Sequence, residues 1–371
     1  MKEGWTFLNF EDCIEKCKKT KQLKTSDYLP EGKYPIVSQE SDLISGYTNM
    51  ADYVNDFGKP IVVFGDHSRV VKYIDFAFAV GADGVKILIP TNDFYPKFFY
   101  YYLHWHGVEN LGYSRHYKLL KEINVPIPTL SEQQHIVEEL DLLSSIIEKK
   151  KAQLNELDNL SQSLFYEMFG DPITNEKGWK TKSFKDIATF KNGLNYHPID
   201  NGQIINCIGV GDFQDRKELR DFKQIKTFSI SETIDESYYL QDGDIIIVRS
   251  NGSRELVGRT LVVYPKDKKI TYSGFCIRCR VSTTDILPFV LNRILSNRST
   301  MIVLRQEGRG CNISNINQKI LASLSIIMPP IELQKEYAIK VKTIEHQKEL
   351  VKQSIKEVET LFNSRMDYYF N

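Results

Sequence analysis

The stretch PIPTLSEQQHIVEEL, residues 126–140, joins two prolines to the start of a long amphipathic run. Proline is excluded from helix interiors, so Pro126 and Pro128 end whatever precedes them. Ser131 and Gln134 match an S-x-x-Q capping box, which predicts that a helix begins here. The stretch MPPIELQKEYAIKV, from Met328, repeats the order of prolines, an acidic first turn and an apolar run. The chain therefore contains the same proline-to-helix junction twice.

The two junctions align without a gap when the sequence is shifted by 201 residues, so that Pro128 falls on Pro329 and Phe169 on Phe370. In both copies the apolar positions follow a 3.5-residue spacing over about five heptads, which is the pattern of a coiled-coil seam. The predicted seam residues are Ile136, Leu140, Leu143, Ile147, Leu154, Leu157, Leu164 and Met168 in the first copy, and Tyr337, Val341, Ile344, Val351, Ile355, Val358, Phe362 and Tyr369 in the second. Lys150 and Ser161 interrupt the first copy, and Lys348 and Arg365 interrupt the second.

The repeat extends upstream of the helices, because Gly4–Trp5 returns as Gly178–Trp179. Between the shared ends, short apolar runs bounded by Gly, Asp and Asn predict strands in both halves, and the aromatic runs after Asp93 and Asp285 predict helices. We therefore divide the chain into a globular domain (1–128), a helix (129–171), a second globular domain (172–330) and a second helix (331–371). The second domain is the longer, so the copies share their ends and differ inside.

Charge is distributed unevenly along a chain whose net charge is zero. Residues 1–128 hold 15 basic and 16 acidic side chains, and residues 129–171 hold 3 and 9. Residues 172–330 hold 23 and 16, and residues 331–371 hold 7 of each. A basic domain favours contact with nucleic acid. The acidic first helix is either a solvated face or a docking surface for basic partner subunits.

Several classes of function lack their motifs in this sequence. The phosphate-binding G-x-x-x-x-G-K-[ST] loop and the Asn/Asp-Pro-Pro-aromatic tetrapeptide of amino-methyltransferases are both missing. Cys276 and Cys279 stand alone, so reduced core cysteines are preferred over a metal site, and His104 and His106 are two residues apart on a predicted helix. These missing motifs predict no metal site in this chain. The longest apolar runs are strand-sized and the first residues lack a signal-peptide core, which predicts a cytoplasmic protein.

The duplicated order of domain, helix, domain and helix, with its P-x-P-x-L-x-E-Q-x-x-I junction, resembles the specificity subunit of type I restriction–modification systems. The resemblance covers essentially the whole chain, although Leu333 stands where the family prefers the glutamate that Glu132 supplies. It implies an α/β (α+β) fold with two β-rich target-recognition domains in tandem repeat, separated by two long antiparallel coiled-coil helices. It also implies double-stranded DNA, two methyltransferase subunits and a restriction/translocase subunit as partners. S-adenosylmethionine, ATP and Mg would then belong to those partners, and this chain would not be catalytic.

This architecture predicts that helix length sets the distance between two recognised DNA segments. A helix of about 37 residues spans about 55 Å. That length corresponds to about 16 base pairs of duplex DNA. We expect a bipartite target whose two specific parts are separated by bases that the protein does not recognise.

DNA contacts are expected from polar, glycine-containing loops, because Arg and Lys bind guanine or phosphate and Asn and Gln bind adenine. The candidates in the first domain are Gln39, His67, Ser68, Arg69, Lys72, Lys86, Arg115, His116 and Lys118. Those in the second are Lys191, Asn192, Asn195, Tyr196, Arg249, Ser250, Asn251, Ser253, Arg254, Arg259, Arg309, Asn312, Asn315 and Gln318. The alternative for each residue is that it simply closes a turn.

Two other functions remain open at this point. The chain could be the specificity subunit of a fused methyltransferase–nuclease system with one catalytic partner. It could also be a coiled-coil scaffold whose domains bind proteins instead of DNA. DNA binding that weakens steeply with salt favours recognition of DNA, and salt-insensitive partner binding alone favours the scaffold.

Overall fold

The computed structural model describes residues 4–18, 20–195, 202–214, 216–231, 233–307 and 315–371. The chain divides into two compact units. Unit 1 comprises Met1–Leu154 and Leu350–Asn371, and unit 2 comprises Asn155–Glu349. Each unit therefore combines one globular domain with part of each long helix.

The first globular domain contains ten short strands and two helices, and the first long helix follows it. They are β1 (Thr6–Asn9), β2 (Ile14–Glu15), β3 (Tyr34–Val37), β4 (Gly46–Thr48), β5 (Val54–Asn55), β6 (Ile61–Gly65), β7 (Val71–Ile74), β8 (Phe78–Val80), β9 (Val85–Pro90), α1 (Pro96–His106), α2 (Tyr117–Leu120), β10 (Asn124–Ile127) and α3 (Leu130–Phe169). Four strands form an antiparallel sheet in the order β2-β9-β6-β7. A second sheet has the order β4-β3-β8-β5, with β3 and β8 parallel, and β1 pairs with β10.

The second globular domain repeats this arrangement before the second long helix. Its elements are β11 (Thr181–Ser183), α4 (Phe184–Ile187), β12 (Ala188–Asn192), β13 (Gln203–Ile208), β14 (Glu218–Leu219), β15 (Thr227–Ile230), β16 (Asp244–Val248), β17 (Thr260–Val263), β18 (Ile270–Tyr272), β19 (Cys276–Val281), α5 (Pro288–Leu295), α6 (Arg298–Glu307), α7 (Gln318–Ser323), β20 (Ser325–Ile327) and α8 (Ile331–Phe370). The sheets are β12-β19-β16-β17-β14 and β15-β13-β18, and β11 pairs with β20. The order of β12, β19, β16 and β17 matches that of β2, β9, β6 and β7.

The central strands explain why both domains fold in the same way. All five residues of β6 and all five of β16 are buried. A continuous apolar run of strand length is typical of a strand that is covered on both faces. The sequence repeat is thus also a structural repeat, and β14 and α6 are additions to the second copy among the described residues.

The long helices follow the predicted seam. α3 and α8 contain 40 residues each, and none of the sixteen predicted seam residues is exposed. In unit 1, Lys151 of α3 pairs with Glu359 of α8, and Glu139, closer to the start of α3, pairs with Arg365, closer to the end of α8. The helices are therefore antiparallel in unit 1.

Unit 2 shows the same antiparallel order with other residues. The rings of Phe165 and Tyr337 lie 5.9 Å apart, and Asp158 lies 2.6 Å from Lys348. Here too, later residues of α3 meet earlier residues of α8. The antiparallel pairing that the resemblance implied is confirmed in each unit separately.

The two basic residues that interrupt the second seam form ion pairs with α3. Lys348 contacts Asp158, and Arg365 donates to both carboxylate oxygens of Glu139 and to the hydroxyl of Tyr369. The hydrogen bond from Arg365 lowers the pKa of Glu139. Charges therefore fill seam positions where an apolar side chain is missing, and they add specificity to the alignment of the helices.

The ends of the long helices complete the cores of the globular domains. In unit 1, Phe370 packs its ring 5.5 Å from Phe98 and 5.7 Å from Tyr102, and Ile136 belongs to the same core. In unit 2, Phe169, which is the repeat equivalent of Phe370, lies 4.9 Å from Tyr337. Each domain thus buries the start of one helix and the end of the other.

A buried glutamine joins α3 to the first domain. Gln133 is completely buried, and its Oε1 accepts a hydrogen bond of 2.7 Å from the backbone N–H of Tyr95. Its Nε2 donates to the carbonyls of Asp93 at 2.8 Å and Pro128 at 3.0 Å. Tyr95 is the residue that precedes α1, so one side chain connects the start of α1, the proline junction and the first turn of α3.

Gln334 makes the same three bonds in unit 2. It is also completely buried, accepts from the N–H of Leu287 at 2.8 Å, and donates to the carbonyls of Asp285 at 2.9 Å and Pro329 at 2.7 Å. Leu287 precedes α5 as Tyr95 precedes α1. We call this arrangement the glutamine joint. The sequence comparison aligned Gln133 with Gln334 but did not predict these hydrogen bonds.

The predicted capping box is wrong by two residues. α3 begins at Leu130, and the hydroxyl of Thr129 accepts from the N–H of Glu132 at 3.3 Å. Gln134 bonds the side chain of Glu138 instead. Thr129 caps the helix because it directly follows the prolines and is the first residue whose side chain can accept from the N–H groups of the first turn.

Cys276 and Cys279 lie on opposite faces of β19, and each belongs to a different hydrophobic cluster. Burial raises the pKa of both thiols. Both cysteines therefore act as small core side chains.

We predict that Gln133→Leu destabilises unit 1 by about 3 kcal/mol, because it leaves one N–H and two carbonyls without partners in a buried site. Urea unfolding followed by circular dichroism measures the effect. Gln134→Leu is the matched control, since Gln134 is exposed and makes one bond on the helix surface, so its cost is below about 0.5 kcal/mol. Equal losses from the two variants would contradict a structural role for the glutamine joint.

Candidate nucleic-acid interface

In unit 2 the structure brings four separate loops together beyond the end of the central strand β16. Arg249 follows β16, and its N–H donates to the carbonyl of Phe275 at 2.9 Å. The carbonyl of Arg249 accepts from Ile316 N–H at 2.9 Å. Leu194 is tied to the same place by 2.7 Å and 2.9 Å backbone bonds with Gly274 and Tyr272. Backbone bonds between strands distant in sequence therefore fix the mutual position of these loops.

The side chains of this cluster supply amides, one hydroxyl, one guanidinium group and one aromatic ring. Asn192 accepts from Gln318 Nε2 at 3.0 Å, and Ser250 forms a β-bridge with Asn315. The described part of the chain offers no ion-pair or hydrogen-bond partner to the guanidinium groups of Arg249 and Arg254. We call this set the unit 2 loop cluster: Asn192, Asn195, Arg249, Ser250, Asn251, Phe275, Asn315 and Gln318.

Several predicted residues of unit 2 lie outside this cluster or serve the fold. Lys191 contacts the hydroxyl of Ser237 and stacks its ammonium 3.6 Å from the ring centre of Tyr238. Arg259 donates to the carbonyl of Gln214 at 3.0 Å. Asn251 accepts from the N–H of Ser253, which closes a turn. Tyr196, Arg309 and Asn312 lie outside the described residues.

In unit 1 an aspartate missed by the sequence analysis organises the corresponding region. Asp66 directly follows the central strand β6 and is 2% exposed. Its Oδ1 accepts from Tyr117 N–H at 2.8 Å, its Oδ2 lies 3.6 Å from Lys86 Nζ, and its carbonyl accepts from His116. One buried acid thus holds two other segments next to the loop after β6.

Polar side chains gather around this aspartate. The N–H of His67 donates to Gln39 Oε1 at 3.1 Å, and the ring of His67 stacks on Tyr113 with centres 5.6 Å apart. Arg69 adopts φ +64° and donates to the carbonyl of Val108 at 3.3 Å. Ser68 is exposed at the tip of the turn. We call Gln39, His67, Ser68, Arg69, Lys86, Tyr113 and Arg115 the unit 1 loop cluster.

Two predicted DNA contacts of unit 1 have structural roles instead. Lys72 is 5% exposed and donates to the carbonyls of Ser38 and Asp42, and burial lowers the pKa of its ammonium. His116 is completely buried, with Nδ1 3.0 Å from the carbonyl of Asp66 and Nε2 accepting from Leu111 N–H at 3.0 Å. Neither side chain reaches the surface, so both are corrected to fold-stabilising residues.

Arg115 is exposed within the unit 1 loop cluster, and Lys118 is exposed next to it in sequence. Within the residues that the structure describes, no group of three or more His, Cys, Asp or Glu is placed to hold a metal ion. No described helix combines the length and apolar character needed to cross a membrane.

Two copies of one α/β unit, each with a polar loop cluster beyond its central strand, define the architecture of this chain. The chain belongs to the type I restriction modification DNA specificity domain family, whose sequence model matches residues 2–159 and 176–360.

The chain is similar to the specificity subunit of the type I restriction enzyme StySPI from Salmonella potsdam, with 27% identity over 259 residues, 65% of this chain and 55% of that subunit. It is also 27% identical over 239 residues to the EcoKI specificity subunit of Escherichia coli, covering 60% of this chain and 50% of the relative. The matches thus span about half the length of these curated relatives.

A solved chain described in work on complex assembly and conformational transition of the type I restriction–modification system has the same fold. It aligns with all of this chain at a TM-score of 0.58 and 14% identity, and 98% of its own length is covered.

We predict that Asp66→Ala loosens the unit 1 loop cluster and destabilises the unit by about 2 kcal/mol, because the Tyr117 N–H loses its partner in a buried site. Hydrogen exchange at the Tyr117 amide and thermal unfolding measure both effects. Asp75→Ala is the control, since Asp75 is exposed just after β7. Unchanged protection of the Tyr117 amide in the Asp66 variant would refute the organising role.

Proposed function

We propose that this chain is the sequence-specific DNA recognition subunit of a type I restriction–modification complex. The observation that carries this proposal is the duplicated unit with a constant frame and two chemically different loop clusters. Two such units suit a target with two specific parts, because each part is bound by its own set of side chains. The specificity subunits similar in sequence support the same function.

The chemistry of the loop clusters fits base recognition in the major groove. Arginine forms paired hydrogen bonds with guanine, and asparagine or glutamine does so with adenine. The unit 2 loop cluster offers Arg249, Asn192, Asn195 and Gln318 on neighbouring loops. Its segment of the chain, residues 172–330, holds 23 basic and 16 acidic side chains, which favours binding to phosphates.

Unit 1 is less basic, so its binding depends more on partner subunits. We propose two methyltransferase subunits and a restriction/translocase subunit as those partners. The acidic stretch 129–171, with 3 basic and 9 acidic residues, offers them charge complementarity. Methylation and cleavage then belong to the partners, and so do S-adenosylmethionine, ATP and Mg. The role of this chain is to hold the target in register while a partner acts on a base outside the stack.

We predict that Arg249→Ala weakens binding of the target duplex by the complex with methyltransferase subunits at least tenfold, because one paired contact with guanine is lost. Titrations of the target at several salt concentrations measure the affinity and its salt slope. Arg220→Ala is the matched control, since Arg220 is exposed but lies at the other end of β17, against Tyr264. Binding that is insensitive to salt, or equal in both variants, would favour a protein-binding scaffold.

We also predict that shortening both long helices shortens the unrecognised part of the target. Deleting Lys151–Leu157 from α3 and Val351–Glu357 from α8 removes one heptad from each and preserves the seam pattern. Each helix becomes about 10 Å shorter, so the gap should shrink by about three base pairs while both specific parts stay unchanged.

Sequencing the methylated sites produced by the complex measures the length of this gap. Gln153→Ala combined with Gln353→Ala is the control, because it alters exposed residues of the same segments and keeps their length. An unchanged gap in the shortened variant would reject helix length as the determinant.

A further inference from the structure

Phe275 is an exposed aromatic residue in the middle of the polar unit 2 loop cluster. Its side chain is 61% exposed, whereas the next residue, Cys276, is completely buried. Phe275 belongs to none of the hydrophobic clusters of its domain, although the domain buries most of its large apolar side chains. The exposed ring therefore contributes little to the core, and it lies among polar side chains that the proposed function assigns to DNA.

The turn that carries Phe275 is rigid. Ser273 accepts from Cys276 N–H through its carbonyl at 2.8 Å, and its hydroxyl accepts from Phe275 N–H at 3.3 Å. The carbonyl of Phe275 accepts from Arg249, and Gly274 N–H donates to Leu194. Because bonds within the turn are joined by bonds to two neighbouring loops, the backbone under the ring is held in one position.

Gly274 lies in the same closely packed turn, next to the side chain of Asn195. A Cβ added to Gly274 would lie 1.9 Å from Asn195 Oδ1, which is closer than any real contact. The backbone of the turn therefore lies next to the amide of Asn195, and the carbonyl of Phe275 bonds the backbone N–H of Arg249. Both neighbours are side chains that the proposed function assigns to base edges.

An apolar side chain among such groups can contact one apolar group on the base edges of the major groove, the methyl group of thymine. Guanine, adenine and cytosine present hydrogen-bonding edges there, and thymine adds an apolar methyl group on C5. Water surrounds both the ring and that methyl group before binding, so contact between them removes apolar surface from water. Hydrogen-bonding neighbours cannot recognise a methyl group.

We propose that Phe275 is a specificity-determining residue that recognises the C5 methyl group of one thymine in the part of the target bound by unit 2. This inference rests on the proposed function and adds a base identity to it. Arg249 and Asn195 bind hydrogen-bonding edges of nearby bases, and Phe275 distinguishes thymine from the other pyrimidine at its own position.

Replacing thymine with uracil tests this contact, because uracil keeps the same pairing and lacks only the methyl group. Each thymine of the mapped target is replaced in turn, and the duplexes are titrated with the assembled complex. At one thymine we expect wild-type affinity to fall about fourfold on replacement, the effect of losing one buried methyl group. Phe275→Ala should bind the two duplexes equally, and Phe275→Leu should retain part of the discrimination.

Ile204→Ala is the matched control, because Ile204 is 74% exposed in the same unit. It lies near the start of β13, whereas the opposite end of β13 bonds the turn that carries Phe275. It should discriminate as the wild type does. The proposal is overturned if no thymine shows discrimination that depends on Phe275. It is also overturned if Phe275→Ala lowers the affinity for both duplexes by the same factor, because the preference for thymine over uracil is then unchanged. The proposed function fails separately if the wild-type complex shows no preference for its mapped target over an unrelated duplex.

Discussion

The buried amide of Gln133, together with its counterpart Gln334, is the contact on which the geometry of each unit depends. Each amide bonds the N–H of the residue before a short helix, a carbonyl two residues further upstream, and the carbonyl of a proline just before the long helix. A buried amide with all these bonds made is stabilising, and the same amide without them is costly. This leaves little freedom in the angle at which a long helix leaves its domain.

A fixed exit angle explains why two units with different loops share one frame. The helix that starts at a joint runs beside the end of the other helix, and aromatic side chains such as Phe169 and Phe370 close the cores there. Such contacts tolerate little change, because close-packed cores respond to the loss of single methylene groups. The loop beyond β16 is held by backbone bonds and the loop beyond β6 by the buried Asp66, so the other side chains of these loops can vary without disturbing the core. Recognition can therefore change while the frame stays constant.

Much of the fold was predictable from sequence because its signals are periodic. The 3.5-residue seam predicted both long helices, and runs such as Ile61–Gly65 and Asp244–Val248 predicted the central strands. The burial of Lys72 and His116 was not predictable, since the carbonyls that they bond come from distant segments. Asp66 and Phe275 were missed for the opposite reason. An acid and an apolar ring do not resemble DNA-binding residues, and only their position beside the loop clusters shows their relevance.

In the proposed function, each unit recognises its own part of a divided target. The direct test is to map the methylated sequences made by the complex when Ser250 and Asn251 of unit 2 are both replaced by alanine. We expect two specific segments at a fixed separation in the wild type, and a variant that relaxes or changes one of them only. A single continuous target, or a variant that changes both segments, would contradict it.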